Sequence, residues 1–224
     1  MFYWRKILLD TSAVILTNET SQVFSKDKAT MILGNKALIR HVFDAVNPIV
    51  DEVILVTNTQ EASDTYAKLL PKTVKFAIDN QQSTQSLLSG TIAGFEIAQG
   101  KYALLLPYDV PFFSREIAEF LLNLTIDKMA AVPRTPNNNV EPLCSAYQTK
   151  AVLEIAKQAI LEDITIDLHL LIEKLRGVRY ISMSVIEQID PEMKSLFYIN
   201  TPVDFKRATI MLQGKQKHQN RQKR

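Results

Sequence analysis

Apolar and polar positions along this chain follow two alternating periods. Short continuous apolar runs lie at 13–16, 53–57, 74–78 and 102–106, with a fifth near 130–132. Between them, segments 36–46, 60–70, 84–98 and 114–124 repeat their apolar positions at helical spacing. Continuous apolar runs are what strands buried on both faces require. Regular strand–helix alternation predicts an α/β fold, a Rossmann-like three-layer sandwich with a mainly parallel sheet. Ser114 ahead of Ile117, Leu121 and Leu124 predicts a capped amphipathic helix. Gly100 is expected to end the third helix as a C′ residue. After Pro133 the pattern loosens. Thr135-Pro136-Asn137-Asn138-Asn139 reads as a loop, 142–149 as a strand carrying Cys144, 151–161 and 166–175 as helices, and 178–182 as a strand. Thr201-Pro202 opens a last helix over 202–212, with proline at N1. No repeat or linker divides residues 1–213, which read as one domain.

Composition narrows the class. Of 224 residues, 46% are hydrophobic and 22% charged, enough for an ordinary core. No apolar stretch approaches the roughly 18–20 residues of a membrane span. The first ten residues, MFYWRKILLD, are too short and too charged for a signal peptide. A single cysteine excludes an internal disulfide and fits a reducing cytoplasm. The net charge of +2 conceals an asymmetry. Lys215, Lys217, Arg221, Lys223 and Arg224 form a tail without acids, and the body before them is mildly acidic. The tail, 214–224, is expected to be basic and disordered. It reads either as a solubilising end or as a transient contact for nucleic acid or anionic lipid. No aromatic platform supports nucleic-acid binding elsewhere.

Candidate chemistry gathers at strand ends. The first strand runs into Thr17-Asn18-Glu19-Thr20 and then Asp27-Lys28. Strand, turn and lysine outline a phosphate loop, but the glycines usual in such loops are missing. Asp109 follows a buried strand between Pro107 and Pro111. In open α/β sheets ligands bind beyond the carboxyl ends of the strands, where an aspartate suits Mg²⁺ at a phosphate. The alternative is a turn aspartate, and for Lys28 a solvated surface lysine. Asn58 and Asp79 end the second and third strands at the same edge. His41, His169 and His218 have no ligand-like spacing.

These residues carry a resemblance. Leu16-Thr17-Asn18-Glu19 with Asp27-Lys28, Gly34-Asn35-Lys36-Ala37-Leu38-Ile39, Leu106-Pro107-Tyr108-Asp109-Val110-Pro111-Phe112, Glu141-Pro142-Leu143 and Tyr198-Ile199-Asn200-Thr201-Pro202 occur in order. The chain thereby resembles the molybdenum cofactor guanylyltransferases of the NTP-transferase superfamily, over about residues 12–212. The resemblance implies a nucleotide-diphospho-sugar transferase type of fold. It also implies transfer of GMP from Mg-GTP to a molybdopterin-type acceptor, with Mg²⁺ as cofactor. Carried over, Asp109 would bind the metal and Lys28 the phosphates, as the catalytic pair. Leu16, Thr17, Asn18, Asn58 and Asp79 would line the nucleotide, and Glu141, Pro142 and Asn200 the acceptor. The chain departs from the pattern where Asn18 and Glu19 replace loop glycines, Val23 an arginine, Ser25 a glycine and Tyr198 an asparagine. Two readings follow, an active nucleotidyltransferase or a degenerate homologue that binds a nucleotide, pterin or partner protein without turnover.

Overall fold

The computed structural model describes residues 11–17, 24, 27–80, 87–161 and 167–222, with backbone alone from 215 onward. Asn18, Glu19, Val23 and Ser25 lie outside the described residues. The first strand, β1 (Thr11–Leu16), is buried along its whole length. A 3-10 turn at Lys28–Thr30 leads into a small hairpin, β2 (Ile32–Leu33) and β3 (Lys36–Ala37). Then come α1 (Leu38–Val46), β4 (Glu52–Thr57), α2 (Gln60–Ala67), β5 (Lys75–Ile78), α3 (Leu87–Ile97) and β6 (Tyr102–Pro107). The second half holds α4 (Arg115–Thr125), β7 (Ala130–Arg134), β8 (Ser145–Gln148), α5 (Thr149–Leu161), α6 (Leu168–Lys174), β9 (Val178–Ser182), α7 (Met183–Ile189) and α8 (Pro202–Gln222).

Seven strands form one sheet in the order β5-β4-β1-β6-β8-β7-β9. The four on the β5 side run parallel, β8 is antiparallel to both neighbours, and β9 is parallel to β7. Side chains alternate across a strand, so β1 sends Ala13 and Ile15 to one face and Val14 and Leu16 to the other. The first face packs with Ile39, Val42 and Phe43 of α1 and Ile117 and Leu121 of α4. The second packs with Leu88, Ile92 and Phe95 of α3, Val152 and Ala156 of α5, and Leu171 and Ile172 of α6. This is the expected three-layer arrangement. A third cluster, Leu33, Leu38, Phe112, Ile199 and Ala208, seats the hairpin and α8 beside the carboxyl end of β6.

Three expectations shift. The strand expected over 142–149 starts only at Ser145, because Cys144 has φ 53°, a left-handed conformation that interrupts an extended ladder. Cys144 is a buried turn residue, not a strand residue. Helix α3 ends at Ile97, and Gly100 is not among the left-handed glycines, so it is no C′ cap. A Cβ there would meet the Ser12 backbone nitrogen at 2.6 Å, so close approach of chain to chain is what requires glycine. The backbone of 214–222 continues α8. Glutamine, lysine and arginine are good helix formers, and one glycine costs only about 1 kcal/mol.

Candidate functional site

The parallel strands deliver their polar successors to one edge. Ile78 of β5 is level with Thr57 of β4, Val56 with Leu16 of β1, and Leu16 with Pro107 of β6. Asp79, Asn58, Thr17 and Asp109 therefore follow neighbouring strand ends in one row. The antiparallel β8 begins at the same edge, since Ser145 is level with Leu105, which brings Glu141 to Cys144 alongside.

Lys28 and Asp109 meet in this row. Lys28 Nζ donates to Asp109 Oδ2 at 2.7 Å, with Lys28 only 4% and Asp109 0% exposed. The surface-lysine alternative is thus excluded. The lysine is positioned from its own turn, where Asp27 Oδ1 accepts from the Ala29 amide at 3.0 Å and caps it. Its ammonium lies 5.1 Å from the Tyr108 ring centroid and 5.8 Å from that of Phe24, within cation–π range. Burial pushes the Asp109 carboxyl above its ordinary pKa, against the opposing pull of Lys28. Asp109 Oδ1 is buried and has no hydrogen-bond partner among the described residues. The Asp109 carbonyl accepts from the Ile199 amide at 3.0 Å, so the backbone on which the carboxylate stands is tied to the Asn200-Thr201 segment.

On the β4–β5 side, Asp79 is 2% exposed and accepts from Ser89 Oγ of α3 at 2.6 Å. Its amide donates to the Thr57 carbonyl at 2.8 Å. Asn58 is half-buried, and its Oδ1 has no hydrogen-bond partner among the described residues. Leu16 is buried, and Thr17 donates from both its amide and its hydroxyl to the Val56 carbonyl, at 3.1 and 2.6 Å. Tyr66 of α2 is buried near Asp27 and Thr17, on both flanks of the loop; burial, then Asp27, raises its phenol pKa.

Beyond Asp109, Glu141 is half-buried and Pro142 buried, with the Pro142 carbonyl accepting from Tyr147 OH at 2.6 Å. Tyr198, which departs from the resemblance, lies near Glu141, with its hydroxyl 3.7 Å from Cys144 Sγ. Burial raises the Glu141 carboxyl and pushes the Cys144 thiol well above its usual range, so the thiol stays protonated. Asn200 is exposed, and its amide donates to Asp204 Oδ2 at 3.2 Å. That carboxylate also accepts from the Thr201 amide at 2.9 Å, while Thr201 Oγ1 accepts from the Asp204 amide at 3.2 Å, a reciprocal cap on α8.

Sequence reasoning identified Lys28, Asp79 and Asp109 but missed Ser89, Tyr66 and Tyr108. Tyr108 sits inside the strand-end motif and was legible as a neighbour of Asp109. Ser89 and Tyr66 sit in helices, and no local signal ties them to loops 10 and 39 residues away.

The donor set bears on a metal. Among the described residues no group of three or more His, Cys, Asp or Glu side chains could hold one. Mg²⁺ is commonly held by one or two carboxylates with substrate phosphates and water. The buried Asp109 carboxylate, with one oxygen unpaired among the described residues, fits that mode, with phosphates completing the shell. No described helix is long and apolar enough to cross a membrane.

Residues 13–170 match the MobA-like NTP transferase domain. A relative from Natranaerobius thermophilus, named as a probable molybdenum cofactor guanylyltransferase, is 27% identical over 205 residues, 89% of this chain and 95% of that one. The molybdenum cofactor guanylyltransferase of Desulfosudis oleivorans is 25% identical over 204 residues, 91% of this chain and 96% of that one. Among solved structures, molybdopterin-guanine dinucleotide biosynthesis protein A from Archaeoglobus fulgidus superposes with a TM-score of 0.75 at 22% identity, covering 91% of this chain and 99% of that one. A 4-diphosphocytidyl-2C-methyl-D-erythritol synthase from Anaerococcus prevotii reaches 0.68 at 16% identity, over 92% of this chain and 96% of that one. The sheet order and the strand-end row agree with these likenesses in fold, and the matched domain covers most of the sequence: the chain belongs to the MobA-like NTP transferase family and is a nucleotidyltransferase.

Proposed function

We propose that the chain transfers GMP from GTP to the terminal phosphate of a molybdopterin-type acceptor. The observation that carries this reading is the buried Lys28–Asp109 pair at the carboxyl ends of β1 and β6. An acceptor phosphate oxygen attacks the α-phosphorus of GTP, forming one P–O bond. The bond from that phosphorus to the bridging oxygen breaks, and pyrophosphate leaves. No protein nucleophile is needed, consistent with a buried, protonated Cys144. Such transfer requires alignment and neutralisation of charge.

Lys28 supplies a cation to the triphosphate. Asp109 would hold Mg²⁺, which neutralises phosphate charge when bound. The backbone at Leu16 and Thr17 and the segment at Asn18 flank the nucleotide, and Asp79, held by Ser89, faces the guanosine with Asn58 beside it. Glu141, Pro142 and Asn200 serve the acceptor. A second reading, binding without turnover, is favoured by Asn18, Glu19 and Val23. A carboxylate at position 19 repels a triphosphate, and loss of one charge-assisted arginine contact costs about 1.5–3 kcal/mol.

Calorimetry with GTP, CTP and ATP in Mg²⁺ tests the proposal. GTP is expected to bind, and Asp109→Ala to abolish the Mg²⁺ dependence; no binding of any nucleotide at millimolar concentration overturns it. Turnover of bound GTP with acceptor separates the two readings.

A further inference from the structure

The two charged groups on which the proposed reaction depends satisfy each other in this structure. The Lys28 ammonium holds Asp109 Oδ2 at 2.7 Å, in a setting where both residues are almost fully removed from solvent. Two aromatic rings, Tyr108 and Phe24, lie within 5.8 Å of the same ammonium. The ammonium and the carboxylate carry opposite unit charges. A divalent cation at Asp109 would compete with the Lys28 ammonium for Oδ2 and bring two further positive charges into a buried place, a strongly unfavourable state. A triphosphate reverses that balance, because it brings the negative charge that both cations need. Lysine is a point charge on a flexible four-carbon stem, so it can turn from carboxylate to phosphate without backbone movement.

We infer that Lys28 is a latch at the cation seat of Asp109: without nucleotide its ammonium keeps a divalent cation out, and phosphate draws it away so that the cation binds with the nucleotide. The inference rests on the proposed reading of Asp109 as the metal-holding carboxylate. Lys28 is then a positioning residue for the metal as well as a phosphate contact. Asp109 Oδ1, buried and without a hydrogen-bond partner among the described residues, is the oxygen facing the ion, and Oδ2 is the one the latch releases. Binding coupling is reciprocal, so what nucleotide does for the metal, metal does for the nucleotide.

Two measurements test the latch. Mn²⁺ titrated without nucleotide and read by its electron spin resonance should bind Lys28→Met at least tenfold more tightly than wild type; equal affinities overturn the inference. GTP titrated in chelator should bind Asp109→Asn at least threefold more tightly than wild type, because that neutral, isosteric change frees Lys28 for phosphate. A merely structural salt bridge predicts equal or weaker binding by Asp109→Asn, and that result also overturns the inference. The Asp109→Asn arm stands alone if Lys28→Met does not fold. Failure of wild type to bind GTP with Mg²⁺ overturns the proposed function instead, and the Mn²⁺ arm then decides the latch.

Discussion

The Ile199 amide donates to the Asp109 carbonyl across 3.0 Å, although 90 residues separate them in sequence. Ile199 is fully buried in the cluster that also holds Leu33, Leu38, Phe112 and Ala208. One packing unit therefore fixes the backbone of the strand-end aspartate, seats α8, and carries Asn200 and Thr201 next to the site. The hairpin that follows Lys28 belongs to the same unit, so both members of the buried ion pair are held from one side.

That pair should be costly to break singly. Lys28→Ala leaves Asp109 buried and uncompensated, and stability is expected to fall by about 3–5 kcal/mol. Adding Asp109→Asn should recover much of the loss. Urea denaturation of the two variants checks this, and a cost for Lys28→Ala under about 1 kcal/mol would show that the carboxylate is solvated.

At the opposite end of the sheet, Glu52 gathers four donors. Its Oε1 accepts from Ser12 Oγ at 2.6 Å, the Gln99 amide at 2.6 Å and the Gly100 amide at 3.2 Å, and its Oε2 accepts from Lys75 at 2.6 Å. Burial alone would raise its pKa, but the bonds from Lys75, Ser12, Gln99 and Gly100 together hold the carboxyl below its ordinary value of 4.5. The folded form therefore gains stability from ionised Glu52 above about pH 4.5, and loses it as pH falls through the lower folded value. Glu52→Gln should cost about 2 kcal/mol at neutral pH. The gap to wild type should close in acid, as read from melting temperatures between neutral pH and pH 3. A gap independent of pH would refute the electrostatic account.

Ser89 orients Asp79 through a 2.6 Å bond between buried groups. Ser89→Ala removes a hydrogen bond to a carboxylate, and stability should fall by about 1.5–3 kcal/mol. If Asp79 faces the guanosine, the same variant should weaken GTP binding severalfold in calorimetry. Unchanged GTP affinity would separate Asp79 from the nucleotide.

Gly34 turns the β2–β3 hairpin at φ 67°, and a Cβ there would lie 2.4 Å from Leu212 Cδ2 of α8. The leucine tip can move, but the left-handed backbone cannot be relieved. Gly34→Ala should cost about 1–2 kcal/mol. Gly34→Asn should cost less, because asparagine tolerates that conformation. Equal losses for the two variants would point to the Leu212 contact as the source.

Strand-end chemistry was legible because it is local. A buried strand leaves a continuous apolar run, and the polar residue after it marks the sheet edge, as at Asp79 and Asp109. Ser114 was legible as a cap for the same reason, and its Oγ accepts from the Ile117 amide at 3.2 Å. Cys144 was misread because a left-handed turn residue leaves no mark when its side chain is apolar enough for a core. Gly100 was misread because a glycine needed for close approach looks the same in sequence as one needed for positive φ.

The amino-acid sequence by itself determined the main alternating strands and helices, their order, and the polar residues that end the parallel strands, since periodicity and capping act within a few residues. It did not mark the short β2–β3 hairpin or α7. Tertiary structure alone decided that β8 runs antiparallel between β6 and β7, which brings Glu141 and Cys144 to the edge occupied by Asp109. It alone decided that Tyr198 reaches that edge and that Lys28 is buried against a carboxylate 81 residues away. These contacts depend on strand order and on the folding of one packing unit over another, and neither is encoded in the spacing of neighbouring residues.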